Sequence, residues 1–175
     1  MNDTPPQEPE RLRIPRRAFD VITSHVQNYG QQEMESGGFL LTAPRQARVQ
    51  VLALAGSAGI VRGAGLFIVT APALDRLFTH AENDGLQVRA MFHSHPAEAF
   101  LSPTDRRYSL RVHGFINAVV PDYATPTADP AAWGWWRHDN DWVTCPSAQI
   151  TPDDSHPLQV VAFDAEGLHA QPDGL

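Results

Sequence analysis

The run Phe115-Ile116-Asn117-Ala118-Val119-Val120 is apolar almost throughout. A strand without a polar face must be covered on both sides, so the segment belongs in the middle of a layered domain. The rest of the chain supplies the cover. From Arg16 to Tyr29, Phe19, Ile22, Val26 and Tyr29 recur at spacings of three and four, which predicts a helix with one buried face that stops at Gly30. Pro72 suits the first turn of a second helix carrying Leu74, Leu77, Phe78 and Ala81 inward, ended by Asn83-Asp84-Gly85. Ser102-Pro103-Thr104-Asp105 opens a third, expected to run to about His113.

Strands are expected at Phe39–Thr42, Val49–Ala55, Leu66–Thr70, Gln87–His95, Phe115–Val120 and Leu158–Phe163, with a hairpin of Gly134–Arg137 and Trp142–Thr144. The fold class is therefore α+β, a mixed sheet packed against three helices. Residues 56–65 contain four glycines and read as a flexible loop; residues 122–132 read as a Pro- and Ala-rich connection. Residues 1–14 read as a flexible leader, 15–164 as a single domain, and 165–175 as a frayed end.

Charge and cysteine content remove several functions. Thirteen basic residues against twenty acidic ones leave a net charge of -7, which disfavours nucleic acid and anionic membrane as main partners. The single cysteine, Cys145, excludes an intrachain disulfide and a multi-cysteine zinc site. No apolar run resembles a signal peptide or a membrane span, so the expectation is a cytoplasmic protein. All thirteen basic residues are arginine, and GC-rich codon usage is the simplest reason.

The chemistry concentrates between residues 91 and 105. Side chains two apart on a strand share a face, so His93 and His95 can converge on one ion. Pro96 ends the strand and begins a connection that can return Asp105 to the pair. Two imidazoles and a carboxylate make three protein ligands, and a fourth tetrahedral position left to water marks a catalytic zinc site. Each half also has a plain structural reading: His-x-His as a polar strand face, and Ser-Pro-Thr-Asp as a helix cap. Glu35, at the entrance to the apolar strand Phe39–Thr42, has the local pattern of an edge carboxylate.

Glu35 with Ser-Gly-Gly-Phe-Leu after it, then His93-Ser94-His95-Pro96, then Ser102-x-x-Asp105, resembles the JAMM (MPN-plus, JAB1/MPN) metalloprotease family over roughly residues 16–145. The resemblance implies a JAB1/MPN-like, mostly antiparallel mixed sheet with three flanking helices and cytidine-deaminase-like layering. It implies Zn2+ on His93, His95 and Asp105, Glu35 as general base, and Ser102 as oxyanion donor. It further implies cleavage of an isopeptide or peptide bond after the C-terminal tail of a ubiquitin-like modifier. Partners would be that modifier, its conjugates, and E1-like or E2-like proteins of the same pathway. Two departures stand out. The His95–Ser102 connection is one residue shorter than is usual in the family, and Leu41-Thr42-Ala43 stands where a further glycine is common.

Two alternatives remain open at this level: a non-catalytic MPN-type scaffold, and a zinc hydrolase acting on a sulfur-carrier protein or a short peptide. The lack of lysine would also spare an enzyme of such a pathway from self-modification. Cys145 reads as a spectator, and Trp133, Trp135, Trp136 and Trp142 as mainly core. His25, His80, His113, His138, His156 and His169 show no ligand spacing and read as surface or packing residues.

Overall fold

The computed structural model describes residues 11–146 and 150–171. Its elements, in chain order, are β1 (Leu12–Ile14), α1 (Arg16–Gly30), β2 (Gly37–Thr42), β3 (Val49–Ala55), β4 (Ile60–Gly63), β5 (Leu66–Val69), α2 (Ala71–Asn83) and β6 (Gln87–Ser94). They continue with α3 (Pro103–Tyr108), β7 (Ile116–Val120), β8 (Gly134–Asp139), β9 (Asp141–Thr144), β10 (Ile150–Pro152), β11 (Gln159–Asp164) and β12 (Gly167–Ala170). Eight strands form the main sheet in the order β12-β11-β3-β2-β6-β7-β8-β9. Within the main sheet, pairing is parallel at β11–β3 and β6–β7 and antiparallel elsewhere, so the described residues form an α+β fold, a mostly antiparallel mixed sheet with three α-helices. No helix among the described residues is long and apolar enough to cross a membrane.

The central strands are buried on both faces because their alternate residues feed two separate cores. Leu40, Leu52, Leu54, Phe92, Ala118 and Val120 pack with Phe19, Ile22 and Val26 of α1. Phe39, Leu41, Val51, Ala53, Met91 and Val119 pack with Ala73, Leu77 and Ala81 of α2 and with Phe67 of β5. Strand periodicity thus explains why β2, β3 and β7 read as continuous apolar runs. Because β6 and β7 are parallel, their C-terminal ends emerge together, and antiparallel β2 begins at the same edge, with Gly37 opposite His93.

Three parts of the chain differ from the sequence reading. The glycine-rich segment is not a flexible loop: it holds β4 and the approach to β5, and Thr70 closes the hairpin by donating its N–H (3.0 Å) and hydroxyl (2.6 Å) to the Gly59 carbonyl. Helix α3 stops at Tyr108 rather than near His113. Ser109 is extended there, and its buried hydroxyl accepts a hydrogen bond from the Asn117 side chain. The outer segments also carry strands. Leu12–Ile14, inside the expected leader, pairs with β10, and Gly167–Ala170, inside the expected frayed end, pairs with β11. Residues 1–10 of that leader and 172–175 of that end lie outside the described residues.

Gly37 lets three elements meet. A Cβ there would collide with the Phe92 carbonyl and lie 2.6 Å from the Phe67 ring, so β2 could no longer hold both β6 and the β4–β5 hairpin at this spacing. Gly37→Ala is expected to destabilise the protein by about 2–3 kcal/mol, as overpacking does. In urea titrations of both variants, Gly65→Ala, where nothing lies within 4 Å, should stay within about 0.5 kcal/mol of wild type.

Candidate metal centre

His93 lies near the end of β6, and His95 follows just beyond it, still held in register by its N–H on the Val120 carbonyl at 2.9 Å. Their shared parity turns both rings to the α2 side of the sheet. The loop 96–101 then folds back, anchored by buried Leu101 and by the Asp122 N–H on the Ala97 carbonyl. Despite its short length, it delivers Asp105 to the histidine pair. Ser102 caps α3: its Oγ accepts the Asp105 N–H at 3.1 Å, and Asp105 Oδ2 accepts the Ser102 N–H at 2.8 Å. Such a reciprocal cap contributes about 1 kcal/mol and fixes where Asp105 stands.

Asp105 Oδ2 lies 3.2 Å from His93 Nε2 and 3.2 Å from His95 Nε2, and the two nitrogens are 3.3 Å apart. This nearly equilateral triangle matches the donor–donor separation of about 3.3 Å required by tetrahedral coordination with bonds near 2.0–2.1 Å. His95 Nδ1 faces the Glu98 carbonyl at 3.2 Å; donating there leaves the Nε2 lone pair for the triangle. The His93 ring is oriented by packing, since its buried Nδ1 has no hydrogen-bond partner among the described residues. Three lone pairs this close repel one another unless positive charge sits between them. Protons or a metal ion can supply that charge, and two nitrogens plus one oxygen suit zinc. Among the described residues, this is the group of histidine, cysteine and acidic side chains arranged to hold an ion.

The charges of the site answer to the same geometry. Burial opposes ionisation of Asp105, but hydrogen bonds to His93 and His95 outweigh it and hold the carboxyl far below the usual range. Burial alone would lower the His95 pKa; the Asp105 hydrogen bond and the nearby Glu35 charge reverse this and raise it. Glu35 is 2% exposed, not an edge carboxylate. Burial pushes its pKa to about 8, partly relieved by His95 and reinforced by Asp105. Phe67, Val69 and Met91 form an apolar side beside His93 and Asp105, and Tyr108 and Ser109 complete the lining. Phe100 is half exposed and lies edge-on to His95 at 4.6 Å. A surface groove of about 740 Å³ between Gln46, Arg48, Asp84 and His156 lies at the other end of the strands, away from the triangle.

Local pattern missed what stands behind Glu35. Ser36 is fully buried; its N–H donates to Ser94 Oγ at 2.9 Å, and its carbonyl accepts the Ser94 N–H at 2.9 Å. The Ser36 hydroxyl meets His25 and Arg62. His25, read from sequence as a packing residue, is held well below its normal pKa, at about 4, by burial and by Arg62. Adjacency to Glu35 was the available sequence signal for Ser36; its pairing with Ser94, fifty-eight positions away, appears only in the fold. Nothing local marks His25 or Arg62.

Glu35 makes a testable demand on stability. Its folded pKa lies above the unfolded value, so the folded chain binds an extra proton between about pH 4.5 and 8. In chelator-treated protein, the stability advantage of Glu35→Gln over wild type should grow across that window and level off above pH 8. A difference in thermal midpoint that is flat with pH would contradict the buried placement.

No family model matches the chain. It is 31% identical over 147 residues to the probable metalloprotease y4jG of Sinorhizobium fredii (strain NBRC 101917 / NGR234), an alignment covering 80% of this chain and 90% of that protein. A solution structure of a protein from Salinibacter ruber (strain DSM 13855) superimposes with a TM-score of 0.53 at 23% identity, covering 83% of this chain and 94% of that one. AF2198, a JAB1/MPN domain protein from Archaeoglobus fulgidus, is similar at a TM-score of 0.46 and 14% identity, covering 78% and 96%. With its Glu, His-x-His and Ser-x-x-Asp residues on this sheet and an alignment to a metalloprotease spanning most of both chains, the protein belongs to the JAMM (JAB1/MPN) metalloprotease family.

Proposed function

We propose that this chain is a cytoplasmic zinc-dependent isopeptidase or peptidase that cuts after the C-terminal tail of a ubiquitin-like modifier, removing it from conjugates or maturing its precursor. The observation that carries the reading is the equal-sided triangle of His93, His95 and Asp105 donor atoms beside a buried, proton-binding Glu35. A non-catalytic scaffold of this fold has no need to keep a buried carboxyl next to such a triangle, because an unpaired buried acid costs stability.

A zinc ion held by His93, His95 and Asp105 would supply Lewis acidity, lowering the pKa of a water toward about 7 and polarising the scissile carbonyl. Glu35 takes the proton released as water adds to the carbonyl carbon. It returns that proton to the amine as the carbon–nitrogen bond breaks, acting as base and then as acid. Its environment favours both states, because burial raises its proton affinity while His95 draws it back toward ionisation. Ser102 Oγ accepts the Asp105 N–H through a lone pair, so its own proton remains available for a developing oxyanion. The apolar wall of Phe67, Val69 and Met91 limits water on one side and strengthens these interactions. No nucleophilic side chain is needed, and Cys145 is buried with a pKa raised by burial. The modifier, its conjugates and E1-like or E2-like proteins of its pathway are the proposed partners.

Incubating zinc-loaded protein with a modifier–target fusion tests this. Glu35→Ala should keep stoichiometric zinc and lose at least about a hundredfold in kcat. Ser102→Ala should lose about a hundredfold in kcat with KM nearly unchanged, and about 1 kcal/mol of stability with its cap. His93→Ala should fail to retain zinc through dialysis. Full turnover by Glu35→Ala would remove the assigned base. Cleavage of short peptides or a sulfur-carrier protein, with modifier fusions left intact, would reassign the substrate.

A further inference from the structure

Glu35 acts well only if its backbone is held still relative to the histidine pair, and the structure shows what holds it. Its own N–H donates to the Gly63 carbonyl at 2.9 Å. Its neighbour Ser36 is stitched on one side to Ser94, the residue between His93 and His95. On the other side, the Ser36 hydroxyl receives Arg62 Nε at 3.3 Å and Nη2 at 3.1 Å and lies 2.8 Å from His25 Nε2. An arginine can only donate, and a serine hydroxyl has one proton. With two Arg62 N–H groups on its lone pairs, the hydroxyl has its proton left for His25 Nε2, and burial with the Arg62 charge keeps the His25 ring neutral and able to accept it.

Arg62 directs two further donors to the end of β3 and the residue after it: Nη2 to the Ala55 carbonyl at 2.7 Å and Nη1 to the Gly56 carbonyl. Its guanidinium lies 3.9 Å from the centre of the Tyr29 ring of α1. No carboxylate pairs with it among the described residues. Partly burying a cation with no counter-charge is costly, and a well-packed apolar residue would serve stability as well or better. The arrangement does something an apolar residue could not: one rigid fork ties α1, the end of β3, β4 and the Glu35–Ser36 segment together. A lysine, with its donors on one atom and no planar face, could not span these acceptors while stacking on Tyr29.

We propose that Arg62 is a positioning residue for Glu35, locking Ser36, and through it the general base, in register with the His93–His95 pair. The proposal rests on the function proposed above and adds a residue from the β4–β5 hairpin to its machinery. Arg62 does not touch the ligand atoms, so metal affinity should not depend on it. A base displaced by about 1 Å can cost on the order of a hundredfold in rate.

The test uses the full chain loaded with zinc. Arg62→Ala should lower kcat at least tenfold, leave KM within about threefold, and keep one zinc per chain. Ser36→Ala should behave alike, and the double variant should be no slower than the slower single one, since both remove one linkage. Independently of any substrate, amide hydrogen exchange at Glu35 and Ser36 should quicken at least tenfold in Arg62→Ala, with exchange in β11 unchanged. Wild-type kcat in folded Arg62→Ala, additive losses in the double variant, or unaltered exchange at both amides would each overturn the proposal. If Arg62→Ala does not fold, Ser36→Ala and Arg62→Lys are put to the same kcat and exchange measurements, and wild-type values in both overturn it. If the wild-type protein cleaves no modifier fusion, the proposed function fails separately, and the exchange result alone decides the role of Arg62.

Discussion

A single oxygen, Oδ2 of Asp105, organises this molecule's chemistry. It accepts the Ser102 N–H, starting α3, and stands 3.2 Å from both imidazole nitrogens. Three acceptors at that separation are stable only around positive charge, so the fold makes a demand that protons or a metal ion can answer. The demand is built from ordinary parts: strand parity for the histidines, a helix cap for the aspartate, and a loop anchored by Leu101 between them. Moving any one by a residue would break the triangle while leaving the secondary structure intact.

The surrounding layers keep the demand unrelaxed. Because β2, β3, β6 and β7 are covered on both faces, the edge at which Gly37 meets His93 cannot yield without disturbing two cores. Ser36 and Ser94 cross-link that edge directly, so the segment bearing Glu35 and the segment bearing the histidines form one rigid unit. Burying Glu35 there raises its proton affinity, which costs stability above acidic pH and leaves a carboxyl able to hold a proton near neutrality. Arg62 and neutral His25 extend the same unit into the β4–β5 hairpin and α1.

Much of this was legible in the chain. The apolar run ending at Val120 required two covering layers, and period-two reasoning put His93 and His95 on one side. Ser102-Pro103-Thr104-Asp105 announced a cap, and the cap proved to be what aims Asp105. Glu35 was different. Its local pattern pointed to an exposed edge, and only the resemblance singled it out, because its enclosure involves the β4–β5 hairpin, whose Gly63 carbonyl takes the Glu35 N–H from far along the sequence. The hairpin itself was hidden by glycines at 56, 59, 63 and 65, which read as looseness until Thr70 and Arg62 are seen closing them.

The sequence by itself determined the alternation of the strands, the doubly covered centre, the histidine parity and the helix cap, since each rests on neighbours within a few residues. Tertiary structure alone decided that the cap and the pair converge at 3.2 Å, that Glu35 is enclosed, and that Arg62, twenty-six positions from Ser36, supplies its hydroxyl with donors. The reason is physical. Local periodicity fixes which way a side chain faces, whereas distance, burial and charge depend on which remote segment packs against it.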